Sequence, residues 1–140
     1  VAAYAHWKGQ DVFLDAAARV SAERGGASPA CRWYVIGGPI YATQGSQWSV
    51  EQLRQRAAKL GLAAHIGFIP FHDEVVRIYH SLDVVVHAST EPEPFGRTIV
   101  EAQACGRSVL ATSAGGAAEL IADGVNALAV PPRDPAALAA

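Results

Sequence analysis

The chain is short, rich in apolar residues and nearly neutral. It has 140 residues, of which 51% are hydrophobic and 17% charged, and its formal net charge is −2. These values suit one folded domain and exclude two ordinary domains or a disordered chain. The balanced charge argues against bulk electrostatic binding of nucleic acid, and no apolar run reaches the roughly 20 residues of a membrane span. The two cysteines, Cys31 and Cys105, indicate reduced thiols in a cytoplasmic setting rather than a disulfide framework.

Both ends of the chain look like interior positions of a longer protein. There is no methionine, the first residues lie in an apolar stretch, and the last six, 135–140, look like the first turn of a helix. We therefore expect a single domain, residues 1–140, that is truncated at both ends.

The interior alternates helical patterns with short apolar runs. In chain order, the pattern predicts a helix over 10–24, a strand over 33–36, a polar loop over 40–49, a helix up to about 60, a strand over 65–69, a helix over 73–81, a strand over 84–86, a helix over 98–105, a strand over 108–111, a helix that ends at 121 and a strand over 127–130. Ser49 and Gln52 have the spacing of a capping box at the start of the second helix, and Gly61 suits its end. These units predict an α/β fold, a Rossmann-like parallel sheet of about five or six strands with helices on both faces.

Glycine and small hydroxyl residues follow three of the predicted strands. Gly37 and Gly38 come after the first of these strands, Ser89 and Thr90 after the second, and the segment 113–116 after the third. In a parallel sheet such positions share the ligand-binding edge, where glycine lets a polar ligand approach the backbone and helix N-termini favour an anion. The alternative is that the glycines only permit short turns between strands and helices.

The segment from Glu93 to Glu101 is the richest in functional chemistry. Glu93 lies in the predicted loop, and Glu101 lies eight positions later, about one turn into the following helix. A carboxylate there can accept hydrogen bonds from vicinal hydroxyls, as an acidic residue does for a ribose. Alternatively, Glu101 only complements the helix dipole and Glu93 is a solvated acid, and the spacing by itself does not decide between these interpretations.

The same segment resembles the E-x7-E signature of the group 1 glycosyltransferases, retaining enzymes of the GT-B fold. Further segments resemble this family in the family's order, and they cover nearly the whole chain: Trp7–Leu14, Ile36–Pro39, Gly67–Phe68, Asp83–Ser89, Ala111–Thr112, Gly115–Glu119, Asp123–Gly124 and Val130–Asp134. The resemblance implies the donor-binding half of a glycosyltransferase that moves a hexose from a UDP- or GDP-linked sugar to an acceptor. The acceptor-binding domain of such an enzyme would lie upstream of Val1.

The resemblance also implies roles for individual residues. Lys8 matches the basic residue that neutralises the donor diphosphate, Glu93 the acid that contacts hydroxyls of the donor sugar, and Glu101 the glutamate that binds the ribose. The remaining implied donor contacts are Gly38 in the pocket lining, Phe68 and Ile69 near the base, and the segment formed by Phe95, Gly96, Arg97 and Thr98. Lys8 and Glu93 are the expected catalytic residues.

Two features limit these expectations. The family places an arginine a few residues before the lysine, but here that position falls near Ala3, and no arginine lies between Val1 and Lys8. No D-x-D pair or His/Cys cluster has ligand spacing, so we expect no metal and treat His6, His65, His72, His80 and His87 as surface or packing residues.

We expect a cytoplasmic protein, peripheral at a membrane only through the missing domain. The competing hypothesis is a non-catalytic nucleotide-binding or interaction module with the same fold, which an open reading frame of one domain would favour. A nucleotide-sugar epimerase is disfavoured by the Glu93–Glu101 spacing, and an NAD-binding domain by the absence of G-x-G-x-x-G after a first strand.

Overall fold

The computed structural model describes residues 1–23, 31–40 and 45–140. It contains strands and helices in alternation, joined by short loops. In chain order these elements are β1 (Ala2–Ala3), a 3₁₀ turn (His6–Lys8), α1 (Gln10–Glu23), β2 (Trp33–Gly38), α2 (Val50–Lys59), β3 (Ile66–Ile69), α3 (Val75–His80), β4 (Val84–His87), α4 (Arg97–Ala104), β5 (Ser108–Thr112), a second 3₁₀ turn (Gly116–Leu120), β6 (Leu128–Val130) and α5 (Pro135–Ala139).

The described strands form two parallel sheets of three strands each, in the orders β1-β2-β3 and β4-β5-β6. Six parallel strands confirm the predicted α/β class, but their hydrogen bonds do not make one continuous sheet. Strand β1 is short and pairs only Ala2 with Gly37 and Ala3 with Gly38 of β2, and no strand pairing in the described part of the chain joins the first sheet to the second. Among the described residues, the stretch Trp33–Ile36 of β2 therefore pairs with β3 alone.

Helices cover both faces of the second sheet. Successive side chains of a strand point to opposite faces. Val85 of β4 and Val109 of β5 pack in a cluster with Tyr79 of α3 and Ile99 of α4. The intervening side chains on the same two strands pack instead against α1 and α5, in a cluster that includes Val86, Leu110, Ala16 and Leu138. This alternation confirms the predicted arrangement of helices on both faces.

The first sheet packs against α1 and α2. Leu14 of α1, Val35 of β2 and Leu53 of α2 form its buried cluster together with Tyr4. Helix α2 begins with the predicted capping box, in which the Gln52 amide donates to Ser49 Oγ and the Ser49 amide donates to the Gln52 side chain. Gly61 follows this helix with a φ of 75°, in the left-handed region that glycine tolerates.

Several predicted boundaries move by one or two residues. The first helix is described to Glu23, and Arg24 lies outside the described residues, as does part of the loop predicted over 40–49. The helix predicted over 73–81 is shorter, and the segment after Gly115 forms a 3₁₀ turn instead of an α-helix. Neither β1 nor the turn at His6–Lys8 was predicted, because two or three residues carry no periodic signal.

Within the described part of the chain, no helix combines the length and the apolar character that crossing a bilayer requires.

Candidate functional site

The turn that carries Lys8 is fixed against the end of β4. The Thr90 amide donates to the Trp7 carbonyl at 2.8 Å. Gly9 has a φ of 68°, and a Cβ at this position would lie 1.9 Å from the Ala88 carbonyl oxygen. Only glycine satisfies both the backbone conformation and the close approach, so Gly9 is what allows the turn to reach this strand.

This packing brings Lys8 to Glu93 across 85 positions of sequence. Lys8 Nζ donates to Glu93 Oε2 at 2.5 Å, and the two side chains are only 20% and 15% exposed. A partly buried pair is screened less by water than a surface pair. The two residues expected to be catalytic are thus direct neighbours at the carboxyl edge of the second sheet.

The loop after β5 supports the backbone of Glu93. The Glu93 amide donates to Ala114, and the Glu93 carbonyl accepts from the Ala117 amide at 3.2 Å. A Cβ at Gly116 would lie 2.0 Å from the Pro94 carbonyl oxygen, and one at Gly115 2.8 Å from that of Glu93. Gly115 and Gly116, which were predicted to let a ligand approach, thus make room for a neighbouring loop. This role is closer to the alternative interpretation, in which the glycines only serve the path of the backbone.

Glu93 is held in its ionised form. Burial raises the pKa of its carboxyl, but the hydrogen bond and the positive charge of Lys8 outweigh that effect and bring the pKa below its usual value of 4.5. The hydroxyl of Ser89, a buried residue two positions after β4, donates to the same oxygen, Oε2, at 3.2 Å. Sequence reasoning noticed Ser89 as a small hydroxyl residue at a strand end, not as a partner of Glu93.

His87, the last residue of β4, lies behind Ser89. Its Nε2 is 3.3 Å from Ser89 Oγ and 3.7 Å from Glu93 Oε2, and the second distance is too long for a hydrogen bond. Burial lowers the pKa of the imidazole, the Glu93 charge raises it and the Lys8 charge lowers it, and the net pKa is below 6.5. His87 is therefore neutral near pH 7 and makes no ion pair with Glu93. The sequence analysis placed His87 among surface or packing residues. Only its position at the end of a buried strand could have indicated that it lies beside the residues of the site.

Glu101 is oriented by a tyrosine. It is the fifth residue of α4, and the hydroxyl of Tyr79 on α3 donates to Glu101 Oε2 at 2.8 Å. Tyr79 is completely buried, and burial together with this hydrogen bond raises the pKa of its phenol. Sequence reasoning missed Tyr79, because one aromatic residue on a short helix is typical of a core position.

The start of α4 lies between the two carboxylates in sequence. Gly96 caps the helix with a φ of 91°, Phe95 and Arg97 are exposed, and the Thr98 hydroxyl donates to the Val1 carbonyl at 3.1 Å. The first backbone N–H groups of a helix have no partner within it, so this turn can donate to an anion.

The other predicted contacts belong to the first sheet. Gly38 ends β2, where a Cβ would meet no atom within 4 Å, and Ile69 ends β3. Phe68 is half-buried, with the Arg54 guanidinium 5.9 Å from its ring centroid. Gly38, Phe68 and Ile69 thus belong to the first sheet, whereas Glu93 follows β4 of the second.

Ala3, near which the resemblance would place an arginine, is buried in β1, and its carbonyl accepts from the Gln10 side chain at 2.6 Å. Over residues 1–23, 31–40 and 45–140, no three histidine, cysteine or acidic side chains converge as metal ligands would.

Comparison with known proteins identifies glycosyltransferases as relatives. The family model described as "Glycosyl transferases group 1" matches residues 1–140. The D-inositol 3-phosphate glycosyltransferase of Geodermatophilus obscurus is 38% identical over 135 residues, which are 95% of this chain and 29% of that protein. The enzyme of the same name from Acidothermus cellulolyticus is 36% identical and covers 92% of this chain and 28% of its own length. The chain thus spans less than a third of the length of these relatives.

Solved structures of similar proteins have the same fold. The Anabaena protein Alr3699/HepE, solved in complex with UDP-glucose, is 36% identical, with a TM-score of 0.85 over 99% of this chain and 35% of that one. The C-terminal domain of a group 1 glycosyl transferase (LpcC) from Francisella tularensis is 31% identical, with a TM-score of 0.78 over 96% of this chain and 66% of that one. On the match over its full length and on these relatives, the chain belongs to the group 1 glycosyltransferases.

Proposed function

We propose that this chain is the donor-binding domain of a retaining glycosyltransferase that uses a UDP-linked hexose. The observation that carries the proposal is the 2.5 Å contact between Lys8 Nζ and Glu93 Oε2 at the carboxyl edge of the sheet. A cation and a carboxylate side by side can meet the two parts of a nucleotide sugar, the diphosphate and the sugar hydroxyls. The similar Anabaena protein, solved with UDP-glucose, supports UDP over GDP as the nucleotide.

In this proposal the groups of the donor are divided among the described elements. Glu101 accepts hydrogen bonds from the ribose hydroxyls, and the backbone of Phe95–Thr98 donates to sugar and phosphate oxygens. Gly38 lines the donor pocket, and Phe68 and Ile69 lie near the base. Lys8 stabilises the negative charge that develops on the diphosphate as the glycosidic bond breaks.

The Lys8–Glu93 contact has a consequence for donor binding. At 2.5 Å no ligand atom fits between the two groups, so Lys8 must leave Glu93 to reach a diphosphate. Breaking this pair costs part of the binding free energy, and the charge-assisted hydrogen bonds from Lys8 to the phosphates offset that cost. A donor therefore gains more from Lys8 than a ligand without phosphates gains.

We propose that binding needs no metal ion, because Lys8 and the N-terminus of α4 supply the positive charge. We also propose a cytoplasmic location, which the free cysteines Cys31 and Cys105 favour. Donor affinity measured with and without a chelator should then agree.

The test is a titration of UDP-glucose, UDP, uridine and GDP into the 140-residue chain, followed by NMR so that weak binding is measurable. Lys8→Ala should weaken UDP-glucose binding about tenfold and uridine binding little, since a charged hydrogen bond is lost only for the phosphates. Glu101→Ala should weaken the binding of all uridine-containing ligands.

Lys59→Ala, at the exposed end of α2, is the matched control for loss of a lysine and should leave every affinity unchanged. UDP-glucose affinities that are the same in Lys8→Ala, Glu101→Ala and the unmodified chain would contradict the proposal, and preference for GDP would contradict the choice of nucleotide.

A further inference from the structure

Three side chains form a hydrogen-bonded row that ends on Glu93. Within this row, His87 Nε2 lies 3.3 Å from Ser89 Oγ, and Ser89 Oγ lies 3.2 Å from Glu93 Oε2. The His87 side chain is only 6% exposed, and Ser89 is fully buried. Ser89 lies two positions after His87 as the chain leaves β4, so the two side chains point to the same side of the extended backbone. The loop that carries Glu93 lies on that side.

The position of the protons in this row follows from its chemistry. A serine hydroxyl has one proton to donate, and the carboxylate of Glu93 is a stronger acceptor than a neutral imidazole nitrogen. Ser89 therefore donates to Glu93, and His87 must donate to Ser89 from Nε2. His87 Nδ1 is buried and has no hydrogen-bond partner among the described residues, so one polar atom of the ring is unpartnered in either tautomer. The need of Ser89 Oγ for a donor is therefore what assigns the proton to Nε2.

We propose that His87 and Ser89 are positioning residues for Glu93, with neutral His87 donating from Nε2 to Ser89 and Ser89 donating to the carboxylate. The inference rests on the proposed function, in which Glu93 contacts the hydroxyls of the donor sugar. It adds two residues that touch no part of the donor and act through Glu93.

The need for such positioning follows from the Lys8 contact. Among the described residues, the side chains that donate to Glu93 Oε2 are those of Lys8 and Ser89. When Lys8 turns to the diphosphate, the hydrogen bond from Ser89, which His87 in turn orients, is the one of these two that remains. The row from β4 thus holds the carboxylate toward the sugar at the time when the ion pair is open.

The experiment compares the affinity of the chain for UDP-glucose with its affinity for UDP, which has no sugar for Glu93 to contact. Glu93→Gln serves as the reference for loss of the sugar contact. His87→Leu and Ser89→Ala should each reduce UDP-glucose affinity about fivefold and change UDP affinity less than twofold. His87→Gln should restore UDP-glucose binding to within about twofold, because its side-chain amide can place an N–H where Nε2–H lies. Nitrogen NMR of the imidazole should show the Nε2–H tautomer.

The outcomes separate the inference from the function on which it rests. If Glu93→Gln removes the preference for UDP-glucose but His87→Leu and Ser89→Ala keep it, the positioning role is wrong and the proposed function stands. An Nδ1–H tautomer, or an imidazolium at pH 7, would also overturn the inference. If the sugar adds nothing to UDP binding in the unmodified chain, or if Glu93→Gln keeps the full preference for UDP-glucose, the function proposed for Glu93 fails and the inference fails with it. Should His87→Leu not fold, Ser89→Ala still decides, because it removes only one oxygen atom.

Discussion

Each of the two carboxylates has its own buried partner in this structure. Glu93 accepts from Ser89, and Glu101 accepts from Tyr79 on the helix before β4. The two glutamates could be recognised in the sequence because they recur at a spacing of eight. Their partners could not, because a serine after a strand and a tyrosine on a short helix occur in many sites without function. The hydrogen bonds depend on where α3 and β4 lie in space.

At this scale we predict the effect of Tyr79→Phe. The ring keeps its packing, but Glu101 loses the 2.8 Å hydrogen bond that orients it, so affinity for UDP should fall several-fold. Titration of UDP followed by NMR measures this loss. Tyr4→Phe is the matched control, since Tyr4 is equally buried and its hydroxyl has no hydrogen-bond partner among the described residues. Equal affinities in the two variants would show that Tyr79 only packs.

At the scale of elements, the loops after β4 and β5 depend on each other. The first carries Glu93, and the second supports it through backbone hydrogen bonds and through glycines that lie against its carbonyl groups. The sequence indicated that glycine was needed in the second loop. It did not indicate whether a ligand or a loop approaches the glycines, because either close approach requires a residue without a side chain.

We predict that Gly116→Ala displaces this pair of loops. The added methyl group would lie 2.0 Å from the Pro94 carbonyl oxygen, so the loops must separate, at a cost of about 1–3 kcal/mol in the free energy of unfolding. Urea denaturation measures this cost. Gly38→Ala should be close to neutral, because no atom lies within 4 Å of the added Cβ and its φ is not in the left-handed region. A fully stable Gly116→Ala variant would show that the contact between the loops yields without cost.

At the scale of the whole molecule, the family is known but the chain spans less than a third of its curated relatives. Glycosyl transfer requires an acceptor held next to the donor, since positioning supplies a large part of the rate. The proposed site accounts for the donor alone.

We therefore predict that the 140 residues by themselves bind UDP-glucose weakly and transfer no sugar. Incubation with labelled UDP-glucose and candidate acceptors, followed by chromatography, measures transfer against a reaction without protein. Transfer above that background would show that the described residues also hold an acceptor.

The sequence by itself determined the class of fold, the order of the strands and helices, the capping box at Ser49 and the resemblance to a family. Each of these depends on local patterns, namely periodicity, turn residues and motif spacing, which few neighbouring residues encode. Only the tertiary structure decided the contact of Lys8 with Glu93, the row from His87 through Ser89, the partner of Glu101 and the division of six strands into two sheets. The contacts of Lys8 with Glu93 and of Tyr79 with Glu101 join residues distant in sequence. The row from His87 joins near neighbours, but its distances also depend on how the strand ends and loops pack, which no local pattern specifies.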